Sequence, residues 1–112
     1  MADLGKLSDK AERVSQVYAT RCGIKRDADW FVLKLQEEAA ELVAEYLRGT
    51  GRGRVGERTA EAIRQALEDE TADLFAQLLL FARHNDIDLE AALQRKWFAW
   101  LEPKPPTTGT DT

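Results

Sequence analysis

The sequence carries a short row of carboxylates in residues 34–42, KLQEEAAEL, and just beyond them. Glu38, Glu41 and Glu45 recur at intervals of three and four residues, so on a helix they fall within a strip about 60° wide. The apolar arc of the same helix spans roughly 220°, which is broader than a helix with one solvated side needs. We therefore expect these acids to stand at the edge of a packed interior.

A second pair of acids follows in residues 68–74, EDETADL. Glu70 and Asp73 are three residues apart and share a helix face. An ionised carboxylate within an apolar stripe is unfavourable unless it is paired or binds a cation. A solvated surface therefore does not explain this pair. Projected down the helix, the apolar neighbours of the pair are Ile63, Ala66, Leu67, Leu74, Leu80 and Phe81.

Two such pairs can meet where two helices pack against each other. Four carboxylates at one point, from Glu38, Glu41, Glu70 and Asp73, form an oxygen-rich site. Hard cations take oxygen ligands, and Mg²⁺ in particular combines one or two carboxylates with substrate phosphates. A di-iron site in a helical bundle uses Glu-x-x-His pairs instead, and neither pair has a His. The pattern thus predicts a Mg²⁺ site, with Mn²⁺ as the substitute.

The elements that must position these acids are all helical. Period-two alternation is absent, and four glycines in residues 49–56 predict a flexible loop between two helices. We expect an all-α, four-helix-bundle-like subunit in residues 1–102 and a disordered Pro/Thr-rich tail in residues 103–112. The predicted helices cover residues 7–21, 30–48, 59–84 and 89–100.

Composition excludes several classes of protein. The 112 residues carry a formal charge of −4, whereas a nucleic-acid binder is usually net basic. Cys22 is the sole cysteine, so neither a disulfide framework nor a zinc-finger framework is possible, and a reducing, cytoplasmic compartment suits the chain. The apolar run 74–82 is interrupted by Gln77 and is too short to span a membrane. His84, the one histidine, is expected to cap its helix.

The small size of the chain also bears on its assembly. A single subunit of this length buries only a modest core. The wide apolar arc of the second helix is more than such a subunit can easily cover. We therefore expect a homodimer or a homotetramer.

At this point the residues match a known family. Segments 37–41, EEAAE, and 70–73, ETAD, resemble the EExxE…ExxD signature of the MazG-like all-α nucleotide pyrophosphohydrolases. The continuation, residues 74–93, is similar to the apolar helix, polar break and IDLEEAL-type helix of that family. The resemblance covers residues 30–96, and it implies hydrolysis of a possibly non-canonical nucleoside triphosphate to the monophosphate and pyrophosphate.

The resemblance also implies roles for individual residues. Glu38, Glu41, Glu70 and Asp73 match Mg²⁺ ligands. Glu37 matches an acid that orients or deprotonates water, and with Glu38 it makes the expected catalytic pair. The expected phosphate contact after the fourth helix is Lys96. One departure is Trp100, which stands where family members often have Asn, and it leaves the base and sugar of the substrate open.

Other contacts to a nucleotide are expected from residue type. Trp30 can stack on a base, and Lys34 is a candidate substrate contact. Arg52 and Arg54 in the glycine loop suit phosphate binding, against the alternative of a solubilising loop. Two further functions stay open. The chain could hydrolyse phosphoribosyl-ATP, or it could be an inactive helical binding module.

Overall fold

The computed structural model describes residues 3–103, and within that range every regular element is a helix. This confirms the all-α expectation. All but the first residue of the predicted tail lies outside the described residues. The elements are α1 (Leu4–Cys22), α2 (Ala28–Gly49), α3 (Ala60–His84), α4 (Leu89–Lys96) and a 3-10 helix (Phe98–Leu101).

Each α-helix begins at a side chain that accepts a hydrogen bond from the backbone of the first turn. Asp27 opens α2 in this way, with its Oδ1 2.8 Å from the Trp30 nitrogen. Asp3 does the same for α1 and bonds the Gly5 nitrogen at 2.7 Å. Such caps satisfy backbone donors that have no partner inside the helix. The cap at Asp3 explains why α1 begins three residues before its expected start.

The last helix is shorter than the sequence suggested. We expected it to reach residue 100, but α4 ends at Lys96 and the chain tightens into the 3-10 helix. The backbone nitrogen of Trp100 donates to the carbonyl of Trp97 at 3.1 Å. Bulky aromatic residues lose side-chain freedom in an α-helix, and three of them stand within residues 97–100. The local sequence therefore favours an early end.

α2 and α3 run antiparallel and make the main contact of the subunit. Phe31 near the start of α2 stacks on His84 at the end of α3, with ring centroids 4.0 Å apart. Gly49 at the end of α2 and Ile63 near the start of α3 line one cavity. α1 packs against α3, whereas α4 packs chiefly against the 3-10 helix. The buried apolar side chains are Ala19, Phe31, Ile63, Leu79, Leu80 and Ala82.

A buried ion pair fixes α1 against the connection between α1 and α2, and a contact to His84 fixes it against the end of α3. Glu12 accepts hydrogen bonds from both terminal nitrogens of Arg26, at 3.0 and 2.8 Å, and lies 3.0 Å from Nε2 of His84. His84 therefore contacts α1 instead of capping its own helix, where Asn85 occupies the cap position. The hydrogen bond from Arg26 lowers the pKa of Glu12 to about 2 despite the opposing effect of burial.

Among the described residues, no helix is long and apolar enough to cross a membrane. α3 is the longest helix, with 25 residues, yet charged side chains recur along it. Several large apolar side chains of α2 are exposed, among them Leu33 and Val43.

The lowered pKa of Glu12 predicts an acid-sensitive contribution to stability. We expect Glu12→Gln to lower the free energy of unfolding by about 2 kcal/mol at pH 7, because a charged, hydrogen-bonded partner of Arg26 is lost. Since the folded-state pKa is depressed, this stabilisation is present above the ordinary value of 4.5 and fades as the pH falls toward 2. Denaturant unfolding of both proteins at pH 7 and pH 3 measures the difference.

Asp9→Asn is the matched control. Asp9 also lies on α1 and bonds Arg83 at 2.8 Å, but its side chain is 60% exposed. Because exposed ion pairs contribute little, we expect a loss below about 1 kcal/mol. Equal losses from the two variants would show that burial of Glu12 adds nothing.

Candidate metal centre and adjoining cavity

Three glutamates from two helices meet at the middle of the α2–α3 contact. Glu38 and Glu41 come from α2 and Glu70 from α3, and one carboxylate oxygen of each lies within 4.8 Å of the other two. The antiparallel packing sets this meeting point, because it aligns the centre of one helix with the centre of the other. We refer to these three residues as the glutamate triad. The structure thus brings together three of the four expected ligands.

Two buried oxygens of the triad have no hydrogen-bond partner within residues 3–103. Glu38 is 7% exposed; its Oε1 lies 3.4 Å from Nζ of Lys34, while its Oε2 is buried and unpartnered. Oε2 of Glu70 is buried and unpartnered in the same way. Buried polar atoms are nearly always satisfied, so two such oxygens in one cluster require an explanation. A hard cation supplies one, because it takes several carboxylate oxygens at once.

Crowding and burial also raise the pKa values of Glu38 and Glu70. For Glu38 the main cause is burial, followed by the charge of Glu41, with Lys34 acting in the opposite direction. For Glu70, burial and a hydrogen bond to Glu41 raise the pKa to about 7. The triad therefore resists carrying three full negative charges near neutral pH, and a bound cation would relieve that repulsion.

Asp73 lies at the edge of the triad. Its charge helps to raise the pKa values of Glu38 and Glu70, but it does not belong to the compact group. The expectation that Asp73 lies inside the apolar stripe is met only in part: the residue is exposed, yet burial is the main cause of a raised pKa at its carboxyl. The rotation of α3 against α2 turns Glu70 toward the helix contact and leaves Asp73, about 60° farther around the helix, at its edge.

Glu37 stands on the solvent side of α2. Its side chain is 56% exposed and pairs with Nζ of Lys34 at 3.2 Å. Lys34 is therefore shared between Glu37 and Glu38, and its own side chain is only 18% exposed. Glu37 is therefore exposed to water, whereas Glu38 is buried.

A cavity of about 420 Å³ opens beside the triad, between α1, α2 and α3. Trp30, Lys34, Glu38 and Asp73 all line it, so two of the expected substrate contacts stand next to two of the expected ligands. Residues that the sequence analysis did not assign complete the wall. They include Ser15, Tyr18 and Gln77. Of these, Gln77 alone gave a signal in the sequence, as the polar interruption of an apolar run.

The arginines of the glycine loop lie elsewhere. Arg52 donates to the Thr50 hydroxyl at 3.0 Å and sits over the ring of Tyr46, and the backbone carbonyl of Arg54 accepts from Arg48. Arg52 and Arg54 both stand past the C-terminal end of α2. Lys96 is the exposed last residue of α4 and does not line the cavity. In one subunit these three expected substrate contacts are not brought to the triad.

Glu45 continues the row of α2 acids but is neutralised. Its two carboxylate oxygens accept from Arg48 at 2.8 Å and from Arg58 at 3.0 Å. Glu45 is as buried as Glu38, at 8% exposure. Burial therefore does not distinguish Glu45 from Glu38. The difference is that Glu45 is paired with two arginines, whereas one buried oxygen of Glu38 has no partner among the described residues.

Comparisons with known protein families, curated proteins and solved structures gave no match. The resemblance of residues 37–41 and 70–73 to the MazG-like enzymes therefore stays an expectation from the sequence. The structure contributes a separate observation, which is that these two segments meet at one point.

The raised pKa of Glu70 predicts how the metal-free protein responds to pH. Since the folded state holds the proton more tightly than the unfolded state, the penalty of ionising Glu70 grows as the pH rises from 4.5 to about 7. We expect Glu70→Gln to stabilise the metal-free protein by about 1 kcal/mol at pH 8 and by much less at pH 5. Thermal melts in the presence of a chelator measure both differences.

Glu68→Gln serves as the control on the same helix. Glu68 is 63% exposed and pairs with Arg64 at 3.3 Å. Exposed pairs of this kind contribute little to stability, so removal of the Glu68 charge should give no pH-dependent gain. If Glu70→Gln proved less stable than the wild type at pH 8, repulsion within the triad would be ruled out.

Proposed function

We propose that this protein is a Mg²⁺-dependent nucleotide pyrophosphohydrolase. The substrate would be a nucleoside triphosphate, canonical or not, and water would split it into the monophosphate and pyrophosphate. The observation that carries the proposal is the glutamate triad with two buried, unpartnered oxygens beside a cavity. The EExxE…ExxD resemblance supports the same reaction.

The residues divide into metal ligands and substrate contacts. Glu38, Glu41 and Glu70 would hold Mg²⁺ or Mn²⁺, with Asp73 as a fourth ligand at the edge. When bound, the cation would neutralise charge on the phosphate oxygens during attack at the α-phosphorus. The unpartnered oxygens of Glu38 and Glu70 are the atoms that such an ion would satisfy.

Three other residues, Lys34, Glu37 and Trp30, would position the nucleotide and the attacking water and would accept a proton. The ammonium group of Lys34 already bridges Glu37 and Glu38, and it can turn toward a phosphate oxygen of a nucleotide in the cavity. Glu37 at the exposed rim would hold the attacking water and accept its proton. Trp30 offers a ring face to the base. Glu38 is held in place by Lys34, so this pair joins the metal centre to the substrate side.

Asp73→Asn tests the reaction. The variant keeps the size of the side chain and removes one negative charge, so the metal-free protein should be as stable as the wild type or slightly more stable. Hydrolysis should fall by at least about 100-fold, on the order expected for loss of a group that stabilises transition-state charge. A panel of nucleotides with Mg²⁺ and detection of pyrophosphate measures activity, and melts with and without Mg²⁺ measure cation binding.

Glu61→Gln is the control, at an exposed position near the start of α3 and far along the helix from Asp73. It should retain both hydrolysis and the Mg²⁺ effect. Full activity of Asp73→Asn would remove Asp73 from the site. Hydrolysis of phosphoribosyl-ATP alone would favour that alternative substrate, and Mg²⁺-independent melts without hydrolysis would favour a binding module.

We also propose that the subunit forms a MazG-type helical assembly, a homodimer or a homotetramer. The outer side of α2 leaves large apolar side chains in contact with water, and contiguous surfaces of this kind mark interaction sites. One subunit contributes a core of few fully buried residues, so burial against a second copy adds what the fold lacks. The exposed side chains of α2 are Val32, Leu33, Val43 and Tyr46.

Light scattering tests the assembly. We expect the mass of at least a dimer at micromolar concentration, and we expect Val43→Lys to shift it toward the monomer because a buried charge opposes association. Arg13→Lys, an exposed position on α1, is the control that keeps the charge. A monomer mass for the wild-type chain would contradict the assembly.

A further inference from the structure

A second cavity, of about 530 Å³, opens where α2 ends and α3 begins. It shares no lining residue with the cavity beside the triad, and neither the triad nor Lys34 lines it. Cavities of about 300–1,000 Å³ are the usual size for small organic ligands. The second cavity is therefore large enough to hold a ligand, and the proposed reaction gives it no role.

Three arginines line the second cavity against a single acid. Arg48 comes from the end of α2, Arg58 from the connection between α2 and α3, and Arg64 from the second turn of α3, while Glu45 is the one acid in the lining. Arg64 is paired at the surface, since its Nε lies 3.3 Å from Glu68. Arg48 and Arg58 share Glu45, so this group keeps one positive charge in excess.

The bonds to Glu45 use only part of the two guanidinium groups. Arg48 donates through Nη1 to Glu45 and through Nε to the carbonyl of Arg54, and Arg58 donates through Nη2 to Glu45. A guanidinium has five N–H donors in a rigid fork that fits a carboxylate. Within residues 3–103, Nη2 of Arg48 and Nε and Nη1 of Arg58 have no hydrogen-bond acceptor. Both arginines can therefore receive a second anion.

The surroundings hold these arginines in place before a ligand arrives. A Cβ at Gly53 would lie 3.2 Å from the backbone nitrogen of Arg48 and 2.9 Å from its Cγ, so the loop passes directly against this residue. The side chains of Arg48 and Arg58 are only 32% and 38% exposed. Side chains that are already ordered lose less freedom on binding, and charge pairs that are partly shielded from water attract more strongly.

The rest of the cavity determines the kind of anion. Its other lining side chains are uncharged, and the largest of them are Tyr46, Val55, Ile63 and Leu67. Such walls suit an apolar body that carries one anionic group. The single excess positive charge matches a carboxylate, whereas a phosphate monoester carries about −1.5 to −2 near neutral pH.

We propose that the second cavity binds a small organic carboxylate with an apolar body, held by Arg48 and Arg58. The carboxylate of the ligand takes N–H groups that Glu45 leaves unused, and its apolar part packs against Ile63 and Leu67. Glu45 is a neighbour of like charge, so it limits the affinity. The site needs neither a metal nor a nucleotide and is independent of the reaction proposed at the triad.

Matched ligands test the site in the wild-type protein. The probes are 3-phenylpropionate, its uncharged amide 3-phenylpropanamide, and acetate, which lacks the apolar body. Titrations followed by ¹H–¹⁵N NMR contain a chelator, so that no metal occupies the triad. We expect 3-phenylpropionate to bind at least about fivefold more tightly than either other probe, because it alone gains both charge-assisted hydrogen bonds and apolar burial. The largest shifts should fall on the amides of Thr50, Ile63 and Leu67.

Charge variants separate recognition from the structural ion pair. Glu45→Gln removes the like charge and should tighten the binding of 3-phenylpropionate by about threefold or more. Arg58→Gln should weaken it by about fivefold, because a charged donor is lost. Arg54→Gln is the matched control: it removes a positive charge from the same connection, but Arg54 does not line the cavity. Its affinity should equal that of the wild type.

Several results would contradict the site. Equal affinity of the wild type for 3-phenylpropionate and its amide would exclude a role for the arginines. Absence of saturable binding at millimolar concentration, or shifts that cluster around the triad, would exclude the second cavity. Equal losses in Arg54→Gln and Arg58→Gln would show unspecific attraction by charge. None of these results bears on the proposed hydrolysis, because the titrations contain neither metal nor nucleotide.

Discussion

The contact between α2 and α3, the largest in the structure, has a cluster of mutually repelling acids at its centre. Packing α2 against α3 brings one carboxylate oxygen each of Glu38, Glu41 and Glu70 within 4.8 Å of one another, with Glu38 buried, Glu70 half-buried and Glu41 exposed. Burial and mutual repulsion both favour protonation, which is why the pKa of Glu70 rises to about 7. A fold that keeps such a contact must be stabilised by the interactions around it.

Those interactions lie at the two ends of the helix pair. At one end, Glu12 joins α1 to Arg26 and to His84, and the His84 ring stacks on Phe31. At the other end, Glu45 is bonded by arginines on both oxygens. Both buried acids are satisfied, so they hold the helices together while the centre is left unsatisfied. Buried polar groups that are left unsatisfied in an otherwise well-paired structure are typical of functional sites.

The buried glutamates differ in their hydrogen-bond partners and not in their burial. Glu12, Glu38 and Glu45 have nearly equal exposure, between 7% and 8%. Glu12 and Glu45 each bond at least one arginine, whereas one oxygen of Glu38 has no partner and the other has a lysine at 3.4 Å. Burial alone therefore says little about function here. The informative quantity is the number of hydrogen bonds that each carboxylate still lacks.

The sequence by itself determined the secondary structure and the acid pattern. Helical periodicity and the glycine-rich loop predicted an all-α chain, because these signals act over a few residues. The caps that Asp27 and Asp88 form are equally local. The early end of α4 was missed, since a run of aromatic residues tightened the last turn. The spacing of Glu38 and Glu41 was also visible, because it depends only on the period of the helix.

The tertiary structure alone decided which acids meet and which are paired. The sequence placed Glu45 in the same strip as Glu38, but only the folded loop could bring Arg58 to it. It placed Asp73 inside the apolar stripe, but the rotation of α3 against α2 put that side chain at the exposed edge. The α1 wall of the cavity had no sequence signature, and the polar interruption at Gln77 did not reveal that its oxygen is buried. Such features arise from contacts between residues far apart in the chain, and helical periodicity carries no information about how one helix is rotated against another.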